Sequence, residues 1–188
     1  MARPTIVSEE VHITVLKALS LPGLGRDRVI RIPTDSQGRM RANSLPALDN
    51  RTIVCIQAGN VNTGAFDPTA QLCRQAKEAG AWVHVDGAFG LWALANRDFA
   101  ALTEGLIEAD SWATDGHKWL NVPYDNGIVF VRGAADLRAA MAASAAYLGE
   151  GIAGDREPSH YTPEASRRAR GVEIWAALLN LGRGGGPP

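Results

Sequence analysis

Thr52-Ile53-Val54-Cys55-Ile56-Gln57, a loop over Gly59 to Gly64, a run from Pro68 to Ala79 closed by Gly80, and Ala81-Trp82-Val83-His84-Val85 form the segment that decides the fold. The two apolar runs are short, rich in β-branched residues and bounded by turn residues, so they read as buried strands. Proline at the start and glycine past the end bracket a helix between them. Strand, helix and strand in about 35 residues make a βαβ unit, which requires parallel strands and a right-handed crossover. The segment therefore predicts an α/β fold, with a mostly parallel sheet flanked by helices.

Working outward, Ser8-Glu9-Glu10 predicts the opening of an amphipathic helix that runs to about Leu19 on an apolar stripe of Val11, Val15, Leu16 and Leu19. Residues 1–6 carry no pattern. Val29-Ile30-Arg31-Ile32 predicts a strand, Asp35-Ser36-Gln37-Gly38 a turn, and residues 39–50 a short helix or loop. Downstream, the pattern predicts a helix over 100–108, strands over 111–114 and 128–131, an Ala-rich helix over 134–147, a loop from Gly149 to Ser159 and a helix over 164–181. The terminal Gly184-Gly185-Gly186-Pro187-Pro188 cannot form regular structure, so residues 1–182 read as one domain and 183–188 as a disordered tail.

Composition narrows the class. The 188 residues are 46% apolar and 21% charged, ordinary for a globular chain with a real core. A formal net charge of −1 gives no electrostatic reason to expect nucleic acid or an anionic membrane as partner. No apolar run approaches the roughly 20 residues that span a bilayer, and no signal-peptide core opens the chain, so a cytoplasmic location is expected. Cys55 and Cys73 lie in apolar settings without metal-ligand spacing, which predicts reduced packing residues and no metal site.

Chemistry is concentrated at Ala109-Asp110-Ser111-Trp112-Ala113-Thr114-Asp115-Gly116-His117-Lys118-Trp119-Leu120, one apolar-leaning run ending in a polar turn. The chain has three lysines. Lys17 and Lys77 fall in helical patterns among polar neighbours, whereas Lys118 stands between Trp112 and Trp119. Aromatic neighbours favour the neutral amine by desolvation, and a neutral amine attacks a carbonyl. Asp86 lies 32 positions earlier, and both residues follow the end of a predicted strand, where open α/β sheets place ligands. An amine and a carboxylate so placed suit an aldehyde cofactor with a ring nitrogen across the ring from its aldehyde. Pyridoxal phosphate is such a cofactor.

The residues then reach a resemblance. His84-Val85-Asp86-Gly87-Ala88 and Ala109 through Leu120 resemble the two signature stretches of the group II pyridoxal-dependent amino-acid decarboxylases of fold type I. Further matches follow in order: Ser8-Glu9-Glu10-Val11-His12 with Lys17-Ala18, Ala58 through Pro68, and Arg167-Arg168 leading to Trp175. The resemblance implies the large-domain core of a pyridoxal-phosphate-dependent carboxy-lyase with an amino-acid substrate and a homodimeric assembly. It implies that Lys118 bonds the cofactor aldehyde, Asp86 partners the ring nitrogen, His12 stacks on the ring near the substrate carboxylate, Ala88 packs on the opposite face and His117 touches the phosphate. Each has a plain structural alternative: His12 is otherwise a partly exposed polar helix position and Ala88 mere packing, and His84 reads as a strand residue only.

Two departures stand out. Val61 occupies the place of a threonine that touches the cofactor in many members, and Pro158 falls where a loop tyrosine usually returns a proton to carbon. Tyr161 or His160 could serve instead. The family's N-terminal arm, Ser/Gly-rich phosphate turn and C-terminal small domain have no counterpart, so a truncated member is expected, one with exposed contact surfaces. An aldehyde-lyase, an aminotransferase and a catalytically inactive remnant remain open as other readings.

Overall fold

The computed structural model of the chain describes residues 4–143 and 157–182. Six strands, β1 (Thr5–Ser8), β2 (Val29–Ile32), β3 (Ile53–Gln57), β4 (Trp82–Asp86), β5 (Ser111–Asp115) and β6 (Gly127–Val131), form one sheet in the order β2-β1-β3-β4-β5-β6. The first five pair in parallel and β6 is antiparallel to β5. Among the described residues four α-helices accompany them: α1 (Ile13–Ser20), α2 (Thr69–Glu78), α3 (Ala134–Met141) and α4 (Gly171–Leu181). The α/β class and the β3-α2-β4 unit read from the sequence are both present.

Alternation along the central strands separates core from site. Val54, Ile56, Val83 and Val85 point to one face and are buried against Leu72, Cys73 and Ala76 of α2, together with Leu106. Those helix residues recur at helical spacing, and Gly80 at φ +70° turns the chain out of α2. The opposite face of the same strands carries Cys55, Gln57, His84 and Asp86, in register as Cys55↔His84 and Gln57↔Asp86. One sheet thus presents apolar methyls to its core and polar groups to a cavity.

Asp67 ties this layout together. Its buried carboxylate accepts the amide N–H groups of Met40 and Gln57, each at 2.7 Å, joining the turn after β2 to the end of β3. Burial pushes its carboxyl up to about 6 even though both amides oppose that shift. A carboxyl whose folded-state pKa lies above its unfolded value binds its proton more tightly in the folded chain. Its contribution is therefore complete below about pH 4 and is lost as pH rises through about 6, an effect on the order of 2–3 kcal/mol. Denaturant titrations at pH 4.5 and pH 7 are expected to show this loss, and Asp67→Asn is expected to flatten it.

The structure corrects several sequence expectations. Residues 5–8, read as patternless or as a helix start, form the fully buried strand β1, and the helix begins only after His12. Four residues are too few to reveal a period, and neighbouring strands on both sides supply the missing stabilisation. Helix 100–108 is replaced by turns and a short 3₁₀ segment over Leu106–Glu108. Gly105 sits at φ +77°, and a Cβ there would lie 2.4 Å from Ala70 Cα, so close approach to α2 sets this backbone. The helix expected from 164 starts at Gly171, because Arg168 and Arg170 are engaged elsewhere. Residues 144–147 of the Ala-rich helix, residues 149–156 of the expected loop and the tail 183–188 lie outside the described residues. Pro158–Tyr161 form a 3₁₀ turn.

Both cysteines are buried free thiols, with burial pushing Cys55 up to about 12 and Cys73 up to about 11, so neither is a thiolate at neutral pH. Among the described residues, no helix is long and apolar enough to cross a membrane.

Candidate active site

Parallel strands end on one edge of the sheet, and the residues after β3, β4 and β5 converge there with the start of α1. They enclose a cavity of about 290 Å³ whose lining includes His12, Gln57, His84, Asp86, Ala88, Phe89, Asp115 and Lys118. The structure thus brings together four of the five residues singled out from the sequence. His117 does not line this cavity.

Each side chain is placed by a local device. His12 caps α1, its Nδ1 accepting from the Thr14 amide at 3.4 Å and lying 2.7 Å from the Thr14 hydroxyl. Gln57 donates its side-chain N–H to the Glu10 carbonyl at 3.0 Å, holding the segment that carries His12 onto β3. Asp86 ends β4, and its Oδ1 accepts the Ala88 amide at 3.2 Å, a short turn that fixes both residues at the cavity wall.

Lys118 sits in the turn after β5. Its Nζ lies 2.8 Å from Asp115 Oδ2 and 4.1 Å from the centre of the Phe89 ring. This corrects the expected surroundings. Trp112 points to the other side of the sheet, its indole donating to the Leu106 carbonyl at 2.7 Å, and Trp119 is 60% exposed. The aromatic neighbour is Phe89, and a carboxylate is the nearest polar partner. His117, on the same turn, stacks on Tyr124 with ring centroids 4.2 Å apart and places Nδ1 against the Asn126 backbone. Its Nε2 lies 3.8 Å from Asp115 Oδ2, so Asp115 stands between His117 and Lys118.

The turn is held from outside as well. Arg170 makes a two-pronged contact with Asp125 (3.1 and 2.9 Å) and Asn126 Nδ2 donates to the Arg170 carbonyl at 2.8 Å. The hydrogen-bonded Arg170 guanidinium holds the Asp125 carboxyl down at about 2. Arg168 adds a contact to the Tyr124 carbonyl at 3.1 Å. The Arg-rich segment is therefore a strap on the lysine turn.

Sequence reasoning missed His84, Phe89 and Asp115. Asp115 was legible as a carboxylate three residues before the lysine in a turn. His84 was legible as the residue two before Asp86 on a strand, hence on the same face. A larger groove of about 440 Å³, lined by Leu91, Trp92, Leu94, Ile107, Trp112 and Phe130 among others, contains no titratable side chain among the described residues and offers no comparable chemistry.

Could the site hold pyridoxal phosphate? The donor set fits on chemical grounds: an amine to bond an aldehyde, a carboxylate for a ring nitrogen, an imidazole and a methyl for the two ring faces, all lining one cavity. Residues 1–185 match the model of the pyridoxal-dependent decarboxylase conserved domain. The chain is 29% identical over 186 residues to an aromatic-L-amino-acid decarboxylase of Bacillus atrophaeus, covering 93% of this chain and 39% of that one. It is 31% identical over 194 residues to an L-2,4-diaminobutyrate decarboxylase of Rhizobium meliloti, covering 96% and 38% respectively. The crystal structure of mouse CSAD in apo form superposes with a TM-score of 0.84 at 25% identity, over 98% of this chain and 41% of that chain. The chain spans about two-fifths of the length of these relatives.

Proposed function

Because the chain belongs to the pyridoxal-dependent decarboxylase family, we propose that it is a pyridoxal-phosphate-dependent carboxy-lyase acting on an amino acid, or the cofactor-holding core of one. The observation that carries this reading is the convergence of Lys118, Asp86, His12 and Ala88 on one cavity at the carboxyl edge of the sheet.

When bound, pyridoxal phosphate supplies an aldehyde for covalent capture and a protonated ring that accepts the electron pair released with carbon dioxide. The chain's own residues supply the rest. Lys118 would be the amine that bonds the aldehyde, and Asp115 holds that amine in place beforehand. Asp86 would keep the proton on the ring nitrogen. His12 would cover one face of the cofactor ring and the Ala88 methyl would leave room on the other, both lining the cavity. His117, tethered through Nδ1 on the Lys118 turn and outside the lining of this cavity, would meet the phosphate as the resemblance implies. Tyr161 or His160, neither of which lines this cavity, would have to return a proton to the substrate carbon in place of the usual loop tyrosine. Residues 1–182 form part of the large domain, and the homodimer implied by the resemblance is retained.

Product analysis tests the reaction class. Carbon dioxide with an amine supports the carboxy-lyase, whereas a keto acid or an aldehyde cleavage product would replace it with an aminotransferase or aldehyde-lyase. Assembly has its own test. Helix α4 exposes Val172, Trp175 and Leu179 at 58%, 63% and 67%, a continuous apolar face unusual for an isolated monomer. Light scattering is expected to report self-association, and Trp175→Glu to reduce it. A monodisperse monomer that unfolds cooperatively would contradict that expectation.

A further inference from the structure

His84 lines the cavity beside Asp86, yet nothing in the functional reading uses it. Its surroundings fix its proton. Ser111 Oγ lies 2.9 Å from His84 Nδ1 and also accepts the Trp82 indole N–H at 2.9 Å. A serine hydroxyl has one proton and two lone pairs. If His84 Nδ1 were protonated, Ser111 would accept twice, and its own buried hydroxyl proton would have no acceptor among the described residues. With Ser111 donating to Nδ1 every group is satisfied. That arrangement puts the remaining imidazole proton on Nε2. Burial also holds the His84 pKa below its ordinary value, against the pull of Asp86, so the ring is neutral near pH 7.

The strand aims this N–H. His84 and Asp86 are alternate residues of β4, so they stand on one face about 6.5–7 Å apart along the strand. The structure holds no direct hydrogen bond between the two side chains, His84 bonding Ser111 and Asp86 bonding the Ala88 amide, and the spacing suits a single-water bridge from Nε2–H to the carboxylate. Asp86 Oδ1 already accepts the Ala88 amide, and a bridge from His84 to that same oxygen leaves Oδ2 free. We propose that His84 is a positioning residue for Asp86, its Nε2–H tautomer set by the Trp82–Ser111 pair, so that one carboxylate oxygen is held by protein donors and the other is aimed at the cofactor ring nitrogen. This rests on the pyridoxal-phosphate reading above and adds the residue that orients its carboxylate.

Two measurements on the full chain test it. Long-range ¹H–¹⁵N correlation of the imidazoles, with His84 assigned by its loss in His84→Gln, is expected to show a neutral Nε2–H ring. A neutral Nδ1–H ring or an imidazolium at pH 7 would overturn the tautomer relay. Pyridoxal phosphate affinity, read from the absorption of the lysine-bound cofactor, supplies a double-mutant cycle. His84→Leu is expected to weaken binding about tenfold, the scale of one hydrogen bond to a charged group, and His84→Gln, which retains an N–H in reach, to recover most of that loss. In an Asp86→Asn background, His84→Leu is expected to cost nothing further. Losses that multiply, or no loss from His84→Leu, would overturn the positioning role while leaving the cofactor reading intact. Failure of the unsubstituted chain to capture pyridoxal phosphate would overturn the cofactor reading, and this role with it.

Discussion

Lys118→Ala is expected to abolish covalent capture of pyridoxal phosphate, measured as the loss of the cofactor's protein-bound absorption band. Lys118 is the one lysine lining the cavity. Lys17 is exposed on α1, and Lys77 reaches Glu108 at 4.0 Å on α2. Lys118→Arg is expected to fail equally: its guanidinium retains the charge and can still face Asp115, but it stays protonated and does not add to a carbonyl. Lys17→Ala and Lys77→Ala are expected to leave the band unchanged. Charge alone therefore does not explain the predicted loss; nucleophilicity at one position does.

The second large effect belongs to Asp86. A carboxylate about 4 Å from a protonated ring nitrogen contributes roughly 4 kcal/mol at an effective dielectric near 20. Asp86→Ala removes that interaction and leaves the ring nitrogen without its counter-charge. The expected result is a fall of about three orders of magnitude in the rate of carbon dioxide release by the cofactor-loaded chain, since each 1.36 kcal/mol is tenfold. Asp86→Glu keeps the charge but lengthens the side chain from a fixed turn, so an intermediate loss is expected. Equal rates for Asp86→Ala and the unsubstituted chain would remove Asp86 from the site.

These two residues show what sequence can and cannot carry. The β3-α2-β4 unit was legible because two apolar runs, a Pro start and a Gly stop all agree, and that unit alone puts Asp86 on the ligand edge. Lys118 was legible as the unusual lysine of three, yet its neighbours were not. Chain proximity nominated Trp112 and Trp119, whereas the strand's alternation turns Trp112 toward the core and tertiary folding brings in Phe89 from the loop after β4. Strand β1 was missed because four residues give no period, and its burial comes entirely from neighbours distant in sequence. The helix start at Gly171 was missed because Arg168 and Arg170 have helix-compatible side chains, and only the structure shows them spent on Asp125 and Tyr124. His84 was passed over as a strand residue. Strand periodicity places it beside Asp86, but the Ser111 and Trp82 bonds that define its proton come from across and along the sheet.

The most direct test of the central claim is the chemical address of the bound cofactor. The chain is mixed with pyridoxal phosphate, reduced with borohydride, digested and mapped by mass spectrometry. A pyridoxyl group is expected on Lys118 and on no other lysine. A label on Lys17 or Lys77, or no stable label at any lysine, would contradict it.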